Sequence, residues 1–444
     1  MQRFRSSLPH RHLGRRTGFV GALTAVAAVS VATAAVAAPQ AMASSAKIHL
    51  TMWQQWGGGH EEQELQTVID KYEKLHPNVT ITQTPVTNDA KILASIVGGD
   101  PPDIVDLGTS LEIGAWASQG AIEPLGSMIS ADHLNLGVFN QTALDGMKVN
   151  GQLYALPFMS FDAALLYNKK LFAAAGLKPP TTLAQLDTDA AKLTKQTKSG
   201  TITQMGFVPD YPGPDQGQTC PLETYGWLFG GSWTNSKGTP TPASAANIAA
   251  LQWEQSFYKK FGAQNVTNFI SSAGAYLTGA DPFESGKMAM MFDGPWTEQY
   301  AKANNPKLAS NVGVVKFPAP SPANDGTTFL DSNPQFIPKG SKNAQAAFNF
   351  IAWETTDPSV TAQFANTVAN IPQLKKTPSF GLESDKLFDL YVKEAESPQA
   401  HVWPQSANSS TYQTAICEAQ SGALVGGKTA GAALRAVSTQ LEQQ

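Results

Sequence analysis

The stretch Gly151-Gln-Leu-Tyr-Ala-Leu-Pro-Phe158, followed by Leu165-Leu-Tyr-Asn-Lys-Lys-Leu-Phe-Ala-Ala-Ala-Gly-Leu177, decides how this chain is read. Apolar residues crowd both halves, as in strands covered on both faces. Pro157 interrupts the first run, and a proline has no ladder N–H to give. The chain is therefore expected to leave one sheet there and enter another. Asn168 suits the start of a helix, and Gly176 suits its C-terminal end. A crossing of this kind is the hinge between two lobes.

Upstream, Lys47-Ile-His-Leu-Thr-Met-Trp53 alternates apolar residues as a strand does. A glycine-rich loop, Gln54 to Gly59, leads into a helix with Leu65, Val68, Ile69, Tyr72 and Leu75 on one face. Val79 to Thr82 reads as a second strand, Ala90 to Val97 as a short helix, and Asp103 to Leu107 as a third, buried strand. Strands alternating with helices predict a parallel α/β sheet with right-handed crossovers. Downstream, Leu183 to Leu193 and Ile248 to Phe261 read as helices. Phe283 to Phe292 reads as a turn into a buried strand. Four helices close the chain: 344–354, 386–395, 412–420 and 430–441. The Pro-, Gly- and Asp-rich run from Pro209 to Gln218 is expected to be a surface insertion or lid.

The first residues have another purpose. Arg3, Arg5, Arg11, Arg15 and Arg16 precede an apolar, Ala/Val-rich run and the small-x-small site Ala41-Met-Ala43. This pattern is a secretory signal peptide, cut after Ala43, rather than a membrane anchor. The Arg15-Arg16 pair leaves open which export route is used. No cysteine stands near the cleavage site to carry a lipid, so a periplasmic, cell-envelope or extracellular location is expected. Of 31 basic residues, removal of those five arginines leaves 26 against 35 acids, a net charge near −9. An acidic surface argues against nucleic acid or anionic membrane as a partner. Cys220 and Cys417 stand as a disulfide or as two separate buried thiols, and their spacing decides nothing.

Several chemistries are disfavoured. Gly422-Ala-Leu-Val-Gly-Gly-Lys-Thr429 fits the letters of a phosphate loop, but a helix rather than a buried strand is expected before it. His49, His60, His76, His133 and His401 are scattered, and no CxxC or HExxH spacing occurs, so no metal and no cofactor is expected. No Gly-x-Ser-x-Gly elbow is present.

In order along the chain stand Leu50-Thr-Met-Trp53, Gly99 to Asp106, Tyr154 to Pro157, Leu166-Tyr-Asn-Lys169, Phe283 to Met290, Gly294-Pro-Trp296 and Pro338 to Asn343. This order resembles the extracellular solute-binding proteins of ABC sugar importers, the family of maltose- and oligosaccharide-binding proteins. The resemblance implies an α/β, two-lobed periplasmic-binding-protein fold of type II. Each lobe would hold a mainly parallel sheet flanked by helices, with the ligand between the lobes. It implies no catalysis, a carbohydrate ligand, a membrane permease as partner and a monomeric receptor. The segments expected are 1–43 as signal peptide, 44–158 and 298–337 as lobe one, 159–297 as lobe two, and 338–444 as lobe two with closing helices.

Ligands of open parallel sheets bind beyond the carboxyl ends of the strands. Aromatic faces there would stack on sugar C–H faces, and amides and carboxylates would bond hydroxyls in pairs. By its match to the Gly-Pro-Trp segment, Trp296 is the leading candidate, with Asp293 beside it. Trp56 in the glycine-rich loop, Glu61, Thr109, Ser110, Phe161, Tyr225, Asp331, Asn333 and Trp403 complete the expected set. Two other readings stay open: a secreted glycoside hydrolase, whose two acids would flank the bond, and the same fold binding a polyamine or peptide.

Overall fold

A computed structural model describes residues 46–57, 59–212, 220–378 and 381–443. The expected signal peptide, 1–43, and residues 213–218 of the expected lid lie outside the described residues. No helix among the described residues is long and apolar enough to cross a membrane.

The strands that matter for the site are β1 (Ile48–Gln54), β2 (Val79–Pro85), β3 (Ile104–Asp106), β4 (Ala155–Phe161), β5 (Ala164–Asn168), β6 (Met290–Asp293), β7 (Val312–Val315), β8 (Asp331–Phe336) and β9 (Ile371–Pro372). The helices that pack around them include α1 (His60–Leu75), α2 (Asp89–Val97), α3 (Leu222–Leu228), α4 (Ala245–Phe261), α5 (Trp296–Asn304), α6 (Ala344–Thr356), α7 (Pro358–Val368), α8 (Lys386–Ala395), α9 (Ser409–Leu424) and α10 (Ala430–Leu441). One sheet runs β9-β4-β8-β3-β1-β2, and a second runs β6-β5-β7.

Each sheet carries its own core. Leu50 and Met52 of β1 turn inward, and α1 answers with Leu65, Val68, Ile69 and Tyr72, the face set by its 3.6-residue period. In the second lobe, Leu165 and Leu166 of β5 pack with Phe207, Tyr225, Trp253, Phe257 and Phe292. A third, smaller cluster, including Ala164, Leu330, Ile371 and Tyr391, gathers residues next to the crossings between sheets.

The two-lobed α/β fold expected from the sequence is the fold found, with corrections in detail. Within these two sheets, among the described residues, only β1–β2 and β1–β3 pair in parallel; β3–β8, β8–β4, β4–β9 and both pairs of the second sheet are antiparallel. The chain re-enters the first sheet from the opposite direction, so simple crossover logic fails there. Pro157 does not mark the crossing. It lies inside β4, opposite Pro334 of β8, where neither proline has an N–H to leave unpaired. The crossing is Asp162-Ala163, between β4 and β5. Asn168 caps the next helix as expected, accepting from the amides of Lys170 and Leu171 at 3.1 Å, and Gly176 takes a φ of 65°.

The boundaries at 298 and 338 also move. Ala301, Leu308, Val312 and Phe317 belong to the second core, so the return to lobe one starts at β8. Phe348, Phe350, Ile351 and Phe364, on α6 and α7, belong to the first core, although 338–444 was expected to lie with lobe two. Their rings and branched chains are fully buried, and burial on the first sheet outweighs chain proximity to the closing helices.

Cys220 and Cys417 form a disulfide across 197 residues, tying the start of α3 to α9. In the chain-entropy model a loop of that length stabilises by about 5 kcal/mol. The phosphate-loop letters carry a helix before them: α9 runs to Leu424, and Thr429 caps α10 by accepting from the Ala432 amide at 3.2 Å.

Candidate ligand cleft

Between the two cores lies a cleft of about 750 Å³. One wall comes from the carboxyl ends of β1 and β3: Gln55, Trp56 and Gly57, then Leu107, Gly108 and Thr109, with Glu61 and Asp89 at the starts of α1 and α2. The facing wall comes from α5 and α9, through Trp296, Tyr300, Gln413, Thr414 and Cys417, with Leu277 beside them. Phe161, Asn333 and Asn370 line it where the strands cross between lobes. The loops beyond the strand ends are where the sequence put the ligand.

Each wall has a tryptophan, and the local sequence explains both. Trp56 follows β1 in a loop whose glycines allow a tight turn, with the Gly57 amide bonded to the Gln55 carbonyl at 2.8 Å. Its indole N–H donates to Asp106 at 3.2 Å, and its ring meets Phe364 edge-on at 5.0 Å. Asp106 also accepts from Gln335 at 3.0 Å. Burial holds the Asp106 carboxyl at about 7.

Trp296 opens α5 directly after Pro295, a residue that suits the start of a helix. It meets Phe161 edge-on, centroids 5.4 Å apart, and Phe161 in turn meets Phe329 at 5.9 Å. Such aromatic pairs add about 0.5–1.5 kcal/mol beyond the area they bury. Trp296 gives its indole N–H to the Tyr276 hydroxyl at 2.6 Å, and that hydroxyl donates to Asp293 at 2.9 Å.

The polar groups are held from behind. Asn333 sits where the β8–β4 register shifts, a bulge that re-aims a side chain. Its amide donates to the Gly108 carbonyl at 2.8 Å and accepts from Asn370 at 3.2 Å. Gln413 donates to buried Glu223 at 2.7 Å. Across the cleft, the Tyr300 hydroxyl reaches Glu61 at 3.4 Å. Burial raises the Glu61 carboxyl, while His60 and Tyr300 draw it back down. No Lys, Arg or His lines the cleft among the described residues.

Of the residues expected from sequence, the structure brings together Trp56, Glu61, Thr109, Phe161, Trp296 and Asn333. Five others stand behind the surface or away from it. Tyr225 is wholly buried in the second core, its hydroxyl bonded to the Pro209 carbonyl at 2.9 Å. Trp403 packs with Trp227, Trp233 and Tyr412 in the same core. Their rings were read as cleft aromatics, but a large apolar area finds its place in the core. Asp331 and Ser110 bond each other, amide to carboxylate at 3.1 Å, and Asp293 lies behind Trp296. The sequence reading missed Gln55, Asp89, Tyr300, Asn370, Gln413 and Thr414. Tyr300 follows Trp296 by four residues on one helix, a spacing that shares a face.

A family model described as bacterial extracellular solute-binding protein matches residues 58–360. The chain belongs to this family. Among solved relatives of this solute-binding protein, CpMnBP1 with mannotriose bound is 33% identical, with a TM-score of 0.79, covering 88% of this chain and 99% of that one. The GacH receptor of Streptomyces glaucescens GLA.O, solved unliganded and with acarbose, gives a TM-score of 0.73 at 22% identity, covering 89% and 98%. At that identity the likeness concerns the fold. The maltotriose-binding protein of Pyrococcus abyssi (strain GE5 / Orsay) is 26% identical over 330 residues, 71% of this chain. The match spans 65% of that relative's own length, just under two thirds.

Proposed function

We propose that this solute-binding protein is the extracytoplasmic receptor of an ABC importer and closes on an oligosaccharide in the cleft. The observation that carries the reading is the lining itself. Aromatic rings from both lobes meet the amides of Asn333, Asn370 and Gln413, which are held by neighbours, and the carboxyls of Glu61 and Asp89, with no cation among the described lining residues. A sugar has apolar C–H faces for the rings and hydroxyls for the amides. CpMnBP1, one third identical, was solved with mannotriose and with mannobiose. The reading of residues 1–43 as an export signal supports a location outside the cytoplasm, and a membrane permease is the partner such a receptor serves.

A ligand that touches both walls only when they approach shifts the open–closed balance by its differential affinity. The crossings at Asp162-Ala163 and at the start of β8 supply the pivot. Micromolar binding is worth roughly −8 kcal/mol, enough to close a hinge poised within a few kcal/mol. The receptor acts as a monomer and returns its sugar intact.

The test is a thermal-shift and calorimetric screen with mannotriose, mannobiose and maltotriose, because a ligand of the folded state raises its melting temperature. At least one sugar should bind and be recovered uncleaved. Failure of every saccharide tried would remove the carbohydrate reading, and cleavage products would favour the hydrolase instead.

A further inference from the structure

The Asp293-Gly-Pro-Trp296 segment does more than end a strand and start a helix. The Asp293 carboxylate accepts from its neighbour Gly294's amide at 2.8 Å, from Thr297 at 2.7 Å and from Tyr276 at 2.9 Å. Three donors from different directions leave it little freedom, and it is only 4% exposed. Tyr276 spends its hydroxyl proton on that carboxylate, so its oxygen lone pairs face another donor. That donor is the indole N–H of Trp296, 2.6 Å away. Indole nitrogen can donate but not accept, so the order of the chain is fixed: tryptophan to tyrosine to aspartate. A Cβ at Gly294 would overlap the six-membered ring of Trp296, so the absence of one lets the indole fold back over the backbone.

We propose that Asp293 and Tyr276 are positioning residues that set the orientation of the Trp296 ring before any ligand arrives, with Gly294 providing the space it needs. The proposal deepens the receptor reading, since it assigns ring orientation in that same cleft. Terminal torsions of aromatic side chains are broad, so an unanchored indole would sample several tilts. A sugar face stacking on it would then have to order the ring as well as bind it. Ordering a side chain on binding costs affinity, and the anchor removes that cost in advance. The sequence reading placed Asp293 on the ligand. In this arrangement Asp293 acts through Tyr276 and the indole, without touching the sugar.

The anchor is tested on the ligand-free full chain. Near-ultraviolet circular dichroism of Tyr276→Phe should lose part of the tryptophan band, and the same substitution in a Trp296→Phe background should leave that band unchanged. Asp293→Asn, which keeps a carbonyl oxygen for the tyrosine, should preserve most of the signal that Asp293→Ala loses. Gly294→Ala should disturb the band by displacing the ring. Titration with mannotriose should then show Tyr276→Phe weakening affinity roughly five- to tenfold, as loss of one hydrogen bond allows. In the Trp296→Phe background the loss should fall to less than about twofold. A tryptophan band untouched by Tyr276→Phe, or changed equally in both backgrounds, would overturn the proposal. If wild-type protein ignores mannotriose, the receptor reading for that sugar fails while the ligand-free spectra still decide the anchor.

Discussion

On the first lobe Trp56 lies almost flush with its wall, 4% exposed, its N–H given directly to Asp106 and its edge against Phe364. On the second lobe Trp296 stands half-buried, reaches its carboxyl only through Tyr276, and leans on a partner, Phe161, that belongs to the crossing between the lobes. Two residues of one type thus face one cleft with different shares of their surface. The area a ring buries in its own lobe stabilises the fold, whereas the area it leaves exposed is what a solute can cover. Trp56 is almost wholly spent on the fold, whereas Trp296 keeps part of its surface available to the ligand.

The sharpest way to break this comparison is to truncate both rings. Trp56→Ala should cost about 3–5 kcal/mol of stability, the range for removing a buried aromatic side chain, and should leave the Gln335–Asp106 pair with one donor fewer. Chemical denaturation measures it. Trp296→Ala should leave the denaturation midpoint nearly unchanged while lowering oligosaccharide affinity at least tenfold, roughly 1.4 kcal/mol or more, by calorimetric titration. If the two effects are exchanged, so that Trp296 holds the fold and Trp56 the ligand, exposure has been the wrong guide to their roles.

Acid chemistry sharpens the comparison in a second way, because both tryptophans rest on carboxyls that burial holds near 7, Asp106 and Asp293. In the unfolded chain such groups ionise near the ordinary value of 3.8. Between those values the folded state binds more protons than the unfolded one, so stability falls as pH rises. The contribution is complete below about 4 and is lost as pH passes through about 7. Melting temperature should therefore be several degrees higher at pH 5.5 than at pH 8. Asp106 has one oxygen without a partner among the described residues, and the nearby Glu354 carboxyl is pushed up first by burial and then by Asp106. Asp106→Asn should accordingly flatten the slope. Asp293→Asn, which removes a carboxyl raised to about the same value, should flatten it to a similar extent. Equal slopes in wild type and Asp106→Asn would show that this carboxyl does not govern the dependence.

The sequence was most legible where one physical rule acted alone. The face of α1 and the cap at Asn168 follow from local period and capping, whereas the two-lobed fold was legible through the resemblance that the ordered motifs carry. Trp296 was legible through its Gly-Pro neighbours, and Trp56, Phe161 and Asn333 through their position past strand ends. Tyr225 and Trp403 were misread because an aromatic residue near a loop looks the same in sequence whether its ring turns to a core or a cleft. Pro157 was misread because the proline opposite it, Pro334, lies far along the chain, and only pairing of the two strands shows that no donor is lost. Gln413 and Thr414 were missed because they belong to a helix whose other face fills the second core.

The smallest expected effect concerns the contact that joins the two walls. Tyr300 stands on the same helix as Trp296, and its hydroxyl reaches Glu61 of the first lobe at 3.4 Å, long for an O–H to oxygen bond. Burial and the neighbouring Glu61 push the Tyr300 hydroxyl up to about 12, so it keeps its proton at any working pH and acts only as a donor to that carboxyl. A bond so long contributes little, about 0.5 kcal/mol or less. Tyr300→Phe should therefore change oligosaccharide affinity by less than about threefold, with the ring still lining the wall. A tenfold loss by titration would mean that the pair shortens into a strong latch when the ligand is bound. The second wall would then contribute to closure through its rim as well as through Trp296.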